Sequence, residues 1–246
     1  MRLKPAELVL WSDGALLAVN KPAGVLTVPS AHEPGSDLLA VLQPVLGRLW
    51  VVHRLDRDTS GVLVLARSAE AHCALNSQFA SHAVTKRYHA LVRGMPSWEE
   101  QRIELHLQVD GDRRHRTVAT APRSHSPGKP AVTCLRVIER FQQYALLEAI
   151  PQTGRTHQIR AHLAAVGLPI VADSSYGDGL ALFLSAIKPV YRESAGNERP
   201  LLARLALHAV RLDLQHPVSQ EPLAFTAPYP KDLDAALRQL RKHASR

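Results

Sequence analysis

The chain has 246 residues, 46% of them hydrophobic, enough for a substantial core arranged as one generous domain or two small ones. Thirty Lys and Arg against 22 Asp and Glu leave a net charge of +8, so the natural partner is a polyanion, although charge alone does not separate nucleic-acid binding from mere solubility. No apolar run reaches the roughly 18 residues of a membrane span and no secretory leader pattern opens the chain, which argues against a membrane or secreted protein and for a cytoplasmic one.

Residues 7–11 and 15–20 read as strands flanking Ser12-Asp13-Gly14, a hairpin turn, and the second runs into Lys21-Pro22-Ala23-Gly24, where proline and glycine end it. A strand, a loop and a strand follow over residues 49–66. Residues 69–82 place Cys73, Ala74 and Phe79 at helical spacing, and residues 87–92 alternate as a strand does. Between 110 and 130 the chain is rich in Arg, His, Ser, Pro and Gly, a basic excursion with at most a short strand near 117–121. Residues 131–138 and 145–150 form another hairpin, leading to Pro151-Gln152-Thr153-Gly154-Arg155 and a helix from about Thr156 that Gly167 caps.

Residues 179–200 mix Leu-rich, polar, Gly- and Pro-containing pieces and read as a variable surface insertion. Strands over 207–214 and 223–226 precede a helix from about Lys231 with Leu233, Leu237 and Leu240 on one face. No internal repeat or linker divides this series, so the expected fold is a single α+β domain, residues 1–246, on a large mixed, mostly antiparallel sheet. Cys73 and Cys134 are far apart, in no metal-ligand spacing and each within an apolar pattern. Both are expected to be reduced core thiols outside any mechanism.

The run from His53 to Leu65 puts a carboxylate, two arginines and a small-residue turn between two strands, which is how a sheet presents a reactive side chain at its edge. Asp56 lies between Arg54 and Arg57, cations that favour its ionised form as nucleophile or base; a turn aspartate in a surface ion pair fits the local sequence equally well. Gly154-Arg155-Thr156-His157-Gln158-Ile159-Arg160 opens a helix, with Thr156 as N-cap, amides turned toward anions, and Arg160 able to reach a buried carboxylate. The alternative there is a solvated basic helix face. His157 and His162, five apart, do not share a face well enough for a metal pair. Tyr88, beside Lys86 and Arg87, is either an ordinary strand tyrosine or a platform for a nucleobase.

Taken together and in order, these segments resemble the RluA family of RNA pseudouridine synthases. The matching blocks are Asn20-Lys21-Pro22-Ala23-Gly24, His53-Arg54-Leu55-Asp56 with Thr59-Ser60-Gly61, Lys86-Arg87-Tyr88, Gly128-Lys129-Pro130-Ala131, Gly154 to Arg160, and Leu207-His208-Ala209. The resemblance implies an isomerase that breaks the N1–C1′ bond of chosen uridines, turns the bound uracil and rejoins it through C5, with no cofactor and no metal. It implies a large mixed sheet with flanking helices and a central catalytic cleft. Asp56 would be the catalytic aspartate, by attack or by elimination at C2′; Tyr88 would stack on the uracil and act in proton transfer at C5; Arg160 would pair with Asp56.

The target nucleotide would be flipped from its stem or loop, at about a few kcal/mol, with the planar guanidinium of Arg54 filling the vacated stack. Arg57, Lys86, Arg87, Arg155, His157 and the basic stretch at Arg113, Arg114, His115 and Arg116 are candidates for RNA contact. Many relatives carry an N-terminal S4-type domain, for which the early Lys21-Pro22 block leaves no space. RNA recognition is therefore expected from the catalytic domain of a monomer acting on a ribosomal or transfer RNA stem-loop, with no role for DNA or a membrane. Two rival readings are a non-catalytic RNA-binding protein, which would not need Asp56, and a hydrolase using Ser60 or a histidine–aspartate metal site, which lacks a nucleophile elbow and ligand spacing.

Overall fold

The computed structural model describes residues 3–29, 35, 37–113, 116–120, 128–188, 191 and 198–245. Arg114, His115 and parts of the 117–121 and 179–200 segments lie outside the described residues. The chain divides into two compact units, residues 1–87 with 208–229, and residues 88–207 with 230–246.

The first unit begins with a turn of helix, α1 (Pro5–Leu8), and then β1 (Val9–Ser12). The strand expected over residues 7–11 therefore starts later, because Pro5 at the helix start has no N–H to lose there. The hairpin to β2 (Leu16–Lys21) forms as expected, and Asp13 Oδ1 accepts the Ala15 and Leu16 amides at 2.7 and 2.8 Å, an aspartate-closed turn. After β2 comes α2 (Leu38–Leu46), which the sequence pattern did not reveal; Asp37 caps it through Ala40 N. Next are β3 (Trp50–Val51), β4 (Ser60–Ala66) and α3 (Ala69–Ala80), capped by Ser68.

β4 is the centre of this unit, paired antiparallel with β2 along one edge. Its other edge carries β3, antiparallel at the C-terminal end, and β10 (Leu207–Gln215), parallel at the start; β11 (Pro222–Thr226) is antiparallel to β10. All seven residues of β4 are buried, which is why it reads as a continuous rather than alternating apolar run. Leu16, Val62, Val64, Leu75, Leu212 and Phe225 belong to one core cluster. In α3 the buried residues are Ala71 and Leu75, with Phe79 packed on the same cluster one turn later. Cys73 is exposed and Cys134 half-buried; both are free thiols. The apolar stripe of α3 thus runs through positions 71, 75 and 79, and Cys73 falls outside it.

The second unit is an antiparallel sheet in the order β5, β9, β8, β6, β7. Its strands are β5 (Thr85–Arg93), whose start belongs to the first unit, β6 (Glu100–Gln108), β7 (Val118–Thr120), β8 (Lys129–Arg140) and β9 (Tyr144–Pro151). Helix α4 (Gln158–Ala165) packs on this sheet, Ala161 meeting Leu107 and Ala131. It ends as expected at Gly167, at φ +76°: Gly167 N donates to Ala164 O and Leu168 N to Leu163 O, and both leucines are buried. Helix α5 (Lys231–His243) buries Leu233, Ala236, Leu237 and Leu240, and Arg204 grips Asp232 in its first turn through Nε and Nη2, each at 2.7 Å. The fold is α+β with mostly antiparallel pairing.

Candidate catalytic and RNA-facing residues

Between β3 and β4 the chain has no ladder of its own, yet Leu55 and Thr59 are buried. Their backbone groups must find partners elsewhere. Val64 N donates to His53 Nε2 at 3.0 Å. The hydroxyl of Thr27, itself buried, donates to Leu55 O at 3.0 Å and accepts from Leu55 N at 3.2 Å, satisfying both polar groups of that residue. Arg57 O accepts from Gly24 N at 2.9 Å and from the Lys21 ammonium at 2.9 Å. Thr59 N donates to Asp56 O at 3.2 Å and closes the turn. The loop backbone is bonded at 55, 56, 57 and 59, and the His53 side chain is bonded to β4, while Asp56 is half-buried and Arg54 and Arg57 are exposed.

Lys21 is fully buried, and its ammonium also donates to Pro22 O at 3.0 Å and Val25 O at 2.7 Å. Three carbonyls thus replace its hydration shell, and the Pro22–Val25 turn and the Asp56 loop share one cation. His53 stacks on Phe79 with ring centroids 4.7 Å apart. Burial, helped by the nearby Lys86 charge, pushes its pKa down to about 3, which keeps Nε2 an acceptor. Lys86 is itself half-buried with a pKa lowered by burial, and Arg87 lies 3.7 Å from Asp213.

Ser60 is fully buried, its hydroxyl 2.9 Å from Nδ1 of the equally buried His208. A hydroxyl closed off from solvent cannot meet a substrate, which removes the structural basis for a Ser60 nucleophile. Gly61 follows at φ +118°, where a Cβ would lie 2.2 Å from Ala209 O. Only glycine permits that approach.

In the second unit, Tyr88 is half-buried on β5 opposite Ala149 of β9. Arg160 is buried and binds Asp173 in a forked pair, Nε to Oδ2 and Nη2 to Oδ1, both at 2.8 Å. Its Cζ also sits 4.9 Å from the Tyr176 ring centroid. Burial alone would raise the Asp173 pKa, but the Arg160 bonds and charge, with the Ser175 and Tyr176 amides, bring it below the ordinary value. Asp173 and Tyr176 were not singled out by the sequence. An aspartate two and three residues before the amides it caps is a recognisable turn signal, but nothing local says which arginine it meets.

The start of α4 differs from expectation. Position 157, not Thr156, is the N-cap; His157 adopts φ +53° and has no side-chain cap bond. Gln158 explains this, because its Oε1 accepts from Thr153 Oγ1 at 2.7 Å and from Arg155 N at 3.0 Å, while Nε2 donates to Val132 O and Thr133 Oγ1, both at 2.9 Å. The Arg155 amide is therefore taken rather than offered to an anion. Arg155 Nε leans on Pro130 O at 3.2 Å, and His157 Nδ1 lies 3.1 Å from the Tyr176 hydroxyl. His162 is buried, with Nδ1 2.9 Å from Thr133 Oγ1, and burial lowers its pKa to about 4.

A family model described as RNA pseudouridylate synthase matches residues 15–165, a span that includes Asp56, Tyr88 and Arg160. The chain belongs to this family. Individual relatives extend the match over nearly its full length. One is the ribosomal large subunit pseudouridine synthase D of Xanthomonas campestris pv. campestris, 38% identical, with 97% of this chain and 70% of that protein covered. Another is the ribosomal large subunit pseudouridine synthase C of Vibrio vulnificus, 35% identical over 96% of this chain and 70% of that one. Among solved structures, human RNA pseudouridylate synthase domain containing 4 superposes with a TM-score of 0.73 at 25% identity, covering 96% of this chain and 94% of that one. The resemblance carried by the six sequence blocks is upheld, and as a family member the chain is an isomerase that converts uridine to pseudouridine in RNA.

Proposed function

We propose that this chain isomerises specific uridines in ribosomal or transfer RNA, with Asp56 as the catalytic aspartate. The observation that carries the assignment is the Asp56 loop, a carboxylate on a backbone fixed by buried side chains and flanked by two exposed arginines. A pre-set carboxylate spends no free energy on ordering during reaction, which is what glycosidic chemistry at a bound uridine demands. Tyr88 stacks on the target uracil and its hydroxyl serves proton transfer at C5. Arg160, held by Asp173 and Tyr176, supplies positive charge to the active site. The reaction separates and rejoins the same base and sugar, so it balances without a cofactor.

Arg54, exposed beside Asp56, fills the stack left by the flipped nucleotide, and Arg57, Lys86, Arg87, Arg155 and His157 contact the RNA backbone. The family match takes in residues of both units, which supports reading them as one catalytic domain. The names of the relatives make large-subunit ribosomal RNA the first RNA to test. The protein acts as a cytoplasmic monomer; among the described residues no helix is long and apolar enough to cross a membrane.

RNA labelled with tritium at uridine C5 and taken from cells lacking the gene should release tritium when mixed with the protein. Asp56→Asn should abolish release while RNA retention on filters stays within about threefold, since losing one negative charge does not weaken a polyanion contact. Substantial release by that variant would remove Asp56 from the chemistry. No release by the unaltered protein would point to an RNA-binding role without catalysis.

A further inference from the structure

The Asp56 loop has a downstream end as well as an upstream one, and a buried pair closes it. Ser60 begins β4 immediately after Thr59, whose amide closes the Asp56 turn. At that point β4 meets β10 in a short parallel pairing, His208 opposite Ser60 and Ala209 opposite Gly61. So short a pairing is a weak clamp, because parallel ladders draw their strength from length and from covered faces. The side chains add what the ladder lacks. His208 Nε2 lies 3.2 Å from Ala227 O and therefore carries the proton, which leaves Nδ1 to accept from the Ser60 hydroxyl at 2.9 Å. Tyr229 packs edge-on against the imidazole at 5.5 Å, fixing its plane. Neither Ser60 nor His208 exposes any surface.

We propose that Ser60 and His208 are positioning residues for Asp56: their buried hydrogen bond ties the end of the Asp56 loop to β10 and to the backbone of Ala227, and thereby sets where the carboxylate stands during reaction. The pair touches neither RNA nor the reacting atoms. It acts through the backbone, so its loss slows chemistry without loosening the substrate. The inference rests on the reading of Asp56 as the catalytic aspartate.

The test compares Ser60→Ala, His208→Gln and Asp56→Asn by tritium release from C5-labelled RNA of cells lacking the gene, with Leu240→Ala in α5 as a control for lowered stability. Ser60→Ala, the smallest change, is expected to reduce kcat at least tenfold with apparent KM within threefold, His208→Gln to do likewise, and Leu240→Ala to keep kcat within twofold after melting curves show all four folded at the assay temperature. The inference is overturned if Ser60→Ala and His208→Gln keep kcat within twofold while Asp56→Asn is inactive, if their loss lies in KM alone, or if Leu240→Ala loses kcat equally. Activity in Asp56→Asn would instead overturn the reading on which the inference stands.

Discussion

Replacing Asp173 by alanine removes one half of a buried ion pair and leaves the other half in place. Asp173 is 1% exposed and Arg160 9%, so neither charge recovers its water when the partner goes. Besides two bonds from Arg160, the lost carboxylate takes the Ser175 and Tyr176 amides, at 2.9 and 3.1 Å. Breaking such a pair from one side costs about 3–5 kcal/mol, against about 0–1 kcal/mol for an exposed pair such as Lys4–Glu7. For a chain of this size each kcal/mol moves Tm by roughly 2–4 °C, so Asp173→Ala should melt about 6–20 °C lower. Asp173→Asn keeps an acceptor for the amides and should fall between. Urea unfolding followed by circular dichroism measures the loss directly, provided the slope stays constant across the series. A loss below about 1 kcal/mol at unchanged slope would refute the claim that this carboxylate is a buried counter-charge of Arg160.

Three further outcomes are expected. Tyr88→Phe should retain RNA and slow tritium release, because only the hydroxyl is lost; unchanged turnover would confine Tyr88 to packing. Stability should fall as pH drops below about 6.5, because an unfolded histidine takes up a proton there whereas burial holds folded His53 neutral to about 3 and His162 to about 4. Their contribution is complete above 6.5 and fades toward the folded values, at up to roughly 1.4 kcal/mol per pH unit for each proton; a flat urea midpoint from pH 7 to 5 would contradict it. RNA affinity should fall steeply with salt, and Arg57→Ala should reduce the slope of log K against log salt by about one. A slope unaltered in that variant would take Arg57 off the RNA backbone.

The elements with strong local signals were legible: the aspartate-closed hairpin, the Gly167 cap and the leucine stripe of α5 each follow from chemistry within a few residues. α2 was not, because Pro44 lies inside it and its capping aspartate follows a stretch without periodicity. The phase of α3 was misjudged at Cys73, since several small apolar residues fit more than one stripe. The proposal of Asp56, Tyr88 and Arg160 as a set comes from the order of the sequence blocks, whereas the hydrogen bonds of Lys21, Thr27, His208 and Asp173 cross sequence separations that no local pattern reports. Thr27 illustrates the limit. A threonine in an apolar run looks like filler until the orphan peptide groups of Leu55 are seen.

The Ser60–His208 bond spans 148 positions of sequence. During synthesis the Asp56 turn leaves the ribosome with Lys21 and Thr27 already made, but its downstream fastening must wait for His208, 148 residues after Ser60. A nascent enzyme is thus surrounded by ribosomal RNA while its carboxylate is still only half secured. The two ends of the loop are therefore fastened at different stages of synthesis, with 148 positions separating the partners of the later bond.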